Sequence, residues 1–173
     1  MIHFATEQPP DAGTREALLD RVMGRARLFK PSERLRRGRR PADGLSLVAR
    51  DGEALIGTVR LWHVNAGNAP ALLLGPLAVD PAAQGTGVGA GLMRLAIARA
   101  EASGHRGIIL VGDPEYYARF GFSADLTGSL AMPAPVERRR FLGLELAENG
   151  LTNGNGAVTP TGEPAVERVL LAA

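Results

Sequence analysis

The chain of 173 residues contains no cysteine. That absence excludes a disulfide framework, a thiolate metal site and a cysteine nucleophile together. Histidine is scarce too. His3, His63 and His105 lie far apart, with no pair at ligand spacing on one helix, so no metal is expected. Aromatic residues amount to 5% and form no stripe with the basic ones, which argues against nucleic acid as a partner. Net charge is only +2, and the isoelectric point of about 9.6 arises because nearly all basic groups are arginine. Long apolar runs are missing as well. The longest uncharged stretch, Leu61 to Val79, carries Asn65, Asn68, Pro70 and Pro76 and makes a poor membrane span. Met1 to Pro10 has neither the basic nor the apolar part of a signal peptide. A cytoplasmic protein with no membrane partner is the expectation.

What remains is ordinary globular material. Hydrophobic residues make up 45% and charged ones 22%, which supports one well-cored domain but not two. Ile2 to Gln8 alternates and reads as an opening strand. Ala17, Leu18, Val22 and Ala26 fall at helical spacing and predict a helix from an N-cap at Thr14 to about Phe29. Pro31-Ser32-Glu33 restarts a short basic helix, and Pro41 to Gly44 breaks it. Leu45 to Arg50 and Glu53 to Val64 flank Asp51-Gly52, a hairpin signal in which both residues would take positive φ. Asn65 to Ala69 is a second turn, followed by the apolar strand Ala71 to Val79.

The pattern then changes. Asp80 to Gly89 is a glycine-rich loop, Val88 to Ala102 a mostly buried helix closed by Gly104, and Gly107 to Val111 a buried parallel strand. Asp113 caps and Pro114 opens a short helix to about Phe120. Arg140 to Ala147 reads as a strand and Asn149 to Gly156 as a loop, with a partly ordered tail from Pro160. The order implies a single α/β (α+β) domain with a mixed sheet.

Gly85, Gly87, Gly89 and Gly91 stand between a strand and a long helix. Such glycines let main chain approach a ligand, and free amides at a helix start attract an anion. Gly85-x-Gly87-x-x-Ala90 fits a dinucleotide fingerprint, but Asp80-Pro81-Ala82-Ala83 separates the strand from the glycines and a hairpin precedes it. A P-loop is excluded by the missing Lys-Ser/Thr. A mere tight turn explains one or two glycines, and each further one in a helix costs roughly 1 kcal/mol relative to alanine.

Leu77-Ala78-Val79-Asp80-Pro81 followed by Gln84-x-x-Gly87-x-Gly89 resembles the acyl-CoA signature of the GNAT superfamily of N-acetyltransferases. Tyr117-Ala118-Arg119-Phe120-Gly121-Phe122 is similar to that superfamily's Tyr-x-x-x-Gly-Phe element. The wording around Ser32 to Arg36, Gly44 to Ala49 and Gly112 to Tyr117 resembles its YhbS-like bacterial branch. The resemblance spans 1–148 as one acetyltransferase domain, with 149–173 an extension that completes the domain or is partly ordered.

It implies a mostly antiparallel mixed sheet, splayed at the acyl-CoA site and flanked by helices. It implies acetyl-CoA as co-substrate, with the pyrophosphate on the backbone of Gln84, Gly85, Thr86, Gly87, Val88 and Gly89, and the pantetheine along Leu77, Ala78 and Val79. By the same resemblance the Val79 N–H holds the oxyanion, and Tyr117 contacts the donor and protonates the departing thiolate. The competing reading is that Tyr117 only fills core, as Tyr116 and Phe120 do at i, i+4. The acceptor would be a small-molecule or protein amine, attacking directly in a ternary complex; a homodimer is compatible with it. No general base is identifiable, and Glu53 and His63 read as surface or sheet residues. A non-catalytic acyl-CoA-binding or sensing module is the alternative, and an adaptor acting through its arginine faces a weaker one. The clusters Arg34 to Arg40 and Arg138 to Arg140 read as solvated faces or as chain-end pairing with acidic groups; the sharper alternative is that the first recognises a carboxylate or phosphate.

Overall fold

Alternation along the strands decides the layering in the computed structural model, which describes residues 1–166. Strands β1 (Ile2–Thr6), β2 (Ser46–Asp51), β3 (Ala54–Ala66), β4 (Ala69–Val79), β5 (Gly107–Val111) and β7 (Phe141–Glu145) lie side by side in the order β1-β2-β3-β4-β5-β7. The short β6 (Leu130–Ala131) pairs with β8 (Gly156–Pro160), which also pairs with the far end of β3. Only β4–β5 and β6–β8 are parallel among the described pairs. The result is a mixed, mostly antiparallel sheet flanked by helices.

Leu47, Ala49, Val59, Leu61, Leu72, Leu74, Ile108 and Leu110 point to one face, where helix α3 (Val88–Ala102) seats Val88, Leu92, Met93, Ala96 and Ala100 on them. Their neighbours Trp62, Val64, Leu73, Ile109 and Phe141 point to the other face and pack with Leu35 of the short helix α2 (Glu33–Arg36). Helix α1 (Ala12–Met23) lays Leu18 on Val48 and Leu55 of that same face. A period-2 strand pattern thus gives two cores, one on each side of the sheet. Gly57 fixes how close α3 comes: a Cβ there would meet Val88 Cγ1 at 2.9 Å.

Four local readings need correction. The first helix starts at Ala12, where it continues directly from the 3-10 turn Pro9–Asp11 that Gln8 and Asp11 box, and Thr14 lies inside it. It stops at Met23, where Gly24 turns to φ +69°, and Arg25–Phe29 is a separate 3-10 turn. In the hairpin after β2, Asp51 pairs with Ala54, so the turn residues are Gly52-Glu53 and only Gly52 takes positive φ. Between the loop expected to Gly156 and the tail expected from Pro160 the sequence predicts no strand, yet β8 fills that interval and pairs with the end of β3 in the register Val64↔Pro160. The part of that tail at 167–173 lies outside the described residues.

Buried charge ties the N-terminal segment to the sheet. Glu7 accepts from Arg15 of α1 and, at 3.0 Å, from Nε and Nη2 of Arg60 on β3. All three side chains are mostly shielded, which locks the start of α1 over the strands that lead to the site.

Candidate active site

The site begins where β4 loses a neighbour. β5 pairs with β4 only at Leu72↔Ile108 and Leu73↔Ile109, and beyond Leu74 the two strands diverge. On the other side β3 stays paired to Val79, but Val59↔Leu77 and Leu61↔Leu74 leave Gly75 and Pro76 opposite Arg60 alone. This is a β-bulge, and it turns the strand where pairing ends. The Trp62 indole N–H fixes it, donating to the Gly75 carbonyl at 2.7 Å. The Asp80 N–H donates to Ile56 O at 2.8 Å across the ladder. By the alternation of an antiparallel pair, Ala78 then faces β3, while Leu77 and Val79 turn their main-chain groups to the open edge.

Beyond that edge the chain makes a bare cradle. Asp80 accepts from Ala82 N, and Pro81–Ala83 forms a 3-10 turn. α3 starts at Gly87 in the left-handed region, φ +88°, with no side-chain cap. The amides of Gly85 through Ala90 donate to no acceptor among the described residues, since the first intrahelical bond is Gly91 N to Gly87 O. Unpaired amides in a helix's first turn carry the positive end of its dipole.

The glycines do different work. Gly85 and Gly87 supply positive φ, and a Cβ on either would meet open space. At Gly89 a Cβ would meet Tyr116 Oη at 2.8 Å. Gly91 instead makes room for the ring of Phe4 on β1, a packing role that sequence spacing hides.

A cleft of about 560 Å³ lies over this turn. Leu77, Ala78, Val79, Gln84, Gly85, Gly87, Val88 and Gly89 line it together, as do Tyr116 and Arg119. Thr86 does not; its hydroxyl closes the turn onto Ala83 O. Gln84 donates its side-chain amide to Val79 O at 3.2 Å. Arg119 was not expected here. Its guanidinium stacks 4.7 Å from the Tyr116 ring centre and adds a cation to a cleft without carboxylates in its lining.

Tyr117 faces elsewhere. It lines a second, smaller cavity of about 90 Å³ between the diverging strands, with Leu74 to Leu77, Leu110 and Val111. Leu77 borders both spaces. Helix α4 (Pro114–Ala118), opened by Asp113 and Pro114 as predicted, carries both tyrosines, and their rings meet edge-on at 4.9 Å. Tyr117 lies flat enough on Gly112 that any Cβ there would overlap it. Burial first, then the nearby Tyr116 and Asp113, pushes its phenol up to about 12. Tyr116 is raised too, again by burial, against the pull of Arg119 and Arg94.

The remaining wall of the small cavity comes from the segment after α1: Met23, Arg27, Lys30, Ser32 and Arg36. The arginine clusters are therefore not simple solvated faces. Arg34, Arg37 and Arg39 donate to the carbonyls of Pro133, Leu28 and Gly162, and Arg138 and Arg140 to those of Thr127, Leu130 and Gly112. Arg36 alone turns inward. Glu53 stays in its hairpin, and His63 sits near His105, with ring centres 5.5 Å apart, away from both cavities.

Comparison with known proteins then decides the family. The acetyltransferase (GNAT) domain family matches residues 42–124, a span that includes the bulged strand, the cradle and both tyrosines. Over residues 42–124 the chain matches a GNAT acetyltransferase domain. The solved structure of the GNAT N-acetyltransferase YhbS from Escherichia coli, in complex with CoA, superposes with a TM-score of 0.76 at 28% identity, covering 92% of this chain and 89% of that one. A GNAT acetyltransferase from Brucella melitensis in complex with acetyl-CoA gives 0.59 at 28% identity, covering 97% of each chain. The ribosomal-protein-S18-alanine N-acetyltransferase of Escherichia coli, 16% identical with a TM-score of 0.59, shares the fold. No curated sequence matches the chain. Among the described residues of this GNAT domain, no helix is long and apolar enough to cross a membrane.

Proposed function

We propose that the protein transfers an acetyl group from acetyl-CoA to a primary amine by direct attack. The observation that carries this reading is the run of unpaired amides from Gly85 to Ala90, set at a helix start over a large cleft beside the open edge of β4. The amides and the helix dipole suit the CoA pyrophosphate, with Arg119 adding charge. The turned-out main chain of Leu77 and Val79 suits pantetheine amides, as an added strand would.

In this reading the amine nitrogen attacks the thioester carbonyl at the splay. The C–N bond forms, the C–S bond breaks, and Val79 N–H stabilises the oxyanion between these events. The nitrogen releases one proton to solvent, and the sulfur takes one from Tyr117 Oη, which solvent replaces. A phenol held near 12 is fully protonated at neutral pH, as a donor must be. Arg27, Lys30 and Arg36 line the cavity, and no carboxylate or histidine lines it with them. Such a wall disfavours an ammonium and favours the free amine, which relieves the need for a base. We assign the activity to residues 1–148, with 149–173 as its extension, and the protein to the cytoplasm.

The test is thiol release from acetyl-CoA across an amine panel, where a cysteine-free protein contributes no background. Tyr117→Phe keeps the ring on Gly112, so kcat should fall on the order of 10²-fold with KM for acetyl-CoA nearly constant. Full kcat in that variant makes Tyr117 a packing residue. The lack of a base in the cavity lining also suits a non-catalytic acyl-CoA sensor; tight CoA binding without turnover of any amine would select that reading.

A further inference from the structure

Arg36 is an unusual side chain for a surface-rich cluster. Its side chain is 9% exposed, and its only partner among the described residues is Glu33, which meets Nε at 3.2 Å. Nη1 and Nη2 find no acceptor among those residues. Nη1 lies against the bulge of β4, so close that a Cβ on Gly75 would meet it at 3.1 Å. Thr58 Oγ1 is the only sealed side-chain polar atom without a partner among the described residues, so both Nη atoms keep some access to solvent. Four of the five N–H donors of this shielded guanidinium stay open to a ligand that reaches the cavity.

The surroundings say what that ligand is. Arg36 lines the cavity at the splay with Arg27 and Lys30, and no carboxylate joins them. Arg27 is already committed to Glu16 at 2.6 Å and Asp20 at 3.1 Å. Lys30 is exposed at the rim and makes no ion pair among the described residues. The open donors are therefore those of Arg36 Nη1 and Nη2, and the cation without an ion pair among the described residues is Lys30. Both sit where the amine arrives, not over the cradle that suits the pyrophosphate.

We propose that the acceptor is an amine bearing a carboxylate, which Arg36 grips through Nη1 and Nη2 while Lys30 draws it in at the rim. A planar guanidinium fork matches a carboxylate bidentately. The cavity's small volume, about 90 Å³, favours an amine only a few bonds from that carboxylate, as in an α-amino acid. Polyamines, whose second charge is positive, meet repulsion in the same place. The proposal rests on the acetyl-transfer reading, since it takes the cavity at the splay as the acceptor side.

The experiment compares amino acids with their amides, which keep the amine and lose the charge, and with spermidine and an aminoalkyl phosphate. The amino acid should exceed its amide in kcat/KM by about tenfold to hundredfold, the range for losing a charge-assisted hydrogen bond. Arg36→Met should bring that ratio close to one with the affinity for acetyl-CoA, read by calorimetry, unchanged. Arg36→Lys should retain part of it. Lys30→Met, at an exposed position, should reduce it severalfold and serves if Arg36→Met does not fold. Equal or better use of the amide or spermidine overturns the proposal, as does a preference for the phosphate or a ratio that ignores both variants. If CoA binds but nothing turns over, the amino acid must still bind the CoA-loaded protein more tightly than its amide, or the proposal fails. If CoA does not bind, the acetyl-transfer reading falls, and titrating the amino acid into the free wild-type and Arg36→Lys proteins decides the role of Arg36 separately.

Discussion

Placing one negative charge in the cradle tests the anion site most directly, and Gly87→Glu does so with little damage. Gly87 sits at φ +88°, so any side chain there costs about 1–2 kcal/mol of left-handed strain. Its Cβ would meet nothing within 4 Å, so the new side chain extends into open space instead of into the core. For a protein of this size that strain lowers Tm by roughly 2–8 °C, leaving it folded at 25 °C.

The effect on CoA is larger and of a different kind. A carboxylate about 5 Å from a phosphate charge, at an effective dielectric constant of about 40–80, costs about 0.8–1.7 kcal/mol. Two pyrophosphate charges make that about 1.7–3.3 kcal/mol, a loss of roughly tenfold to a few hundredfold in affinity. Gly87→Gln carries the same bulk and the same backbone strain without the charge, so the Glu/Gln ratio of Kd isolates electrostatics. Calorimetry at about 50 mM and 500 mM salt should show the ratio shrinking as the Debye length shortens. A folded Glu variant that binds CoA as tightly as the Gln variant, at both salts, refutes an anion site at the start of α3.

Three further outcomes follow from the geometry. Gly112→Ala forces the Tyr117 ring to move, and should cost about 1–3 kcal/mol with a fall in kcat; unchanged Tm and kcat would show the ring to be free. Trp62→Phe removes the 2.7 Å bond to Gly75 O and should destabilise by about 1–3 kcal/mol in urea unfolding, because a buried carbonyl loses its donor. The alkaline limb of kcat should stay absent up to pH 10.5, because Tyr117 remains protonated until about 12. For stability the sign is the same: the folded state holds that proton more tightly than the unfolded chain, so Tyr117's contribution is full below pH 10 and lost as pH rises towards 12. Tyr117→Phe should remove that part of the alkaline loss of stability seen in the wild type.

The cradle we propose for the donor was legible as geometry because main chain builds it. Positive φ at Gly85 and Gly87, a proline in a strand that loses its neighbour, and Asp80 capping the turn each demand particular residue types at particular places. Backbone requirements of that sort survive in a linear reading. The same logic misleads at Gly91, where the demand comes from Phe4 on a strand more than eighty residues away, and at Gly112, where it comes from Tyr117. A glycine announces that something comes close without saying whether it is ligand or protein.

The acceptor half is built from side chains, and their pairing depends on partners that only the fold supplies. Arg27 and Arg36 look alike in sequence, each an arginine in a basic stretch. The fold gives Arg27 two carboxylates from α1, whereas Arg36 receives one contact at Nε and turns its remaining donors to the cavity beside β4. Burial pushes Arg36 below the usual arginine value and Glu33 only partly offsets it, while at Arg27 the two carboxylates outweigh the same penalty and raise it. One arginine is thereby a staple, and the other keeps donors free for the acceptor we propose. Under that proposal, substrate choice depends on where the fold places carboxylates. The donor site does not share that sensitivity, since an amide array presents the same charge whatever side chains surround it. In the same proposal, changes to Arg27, Lys30, Ser32 and Arg36 alter the acceptor side while leaving the cradle as it is.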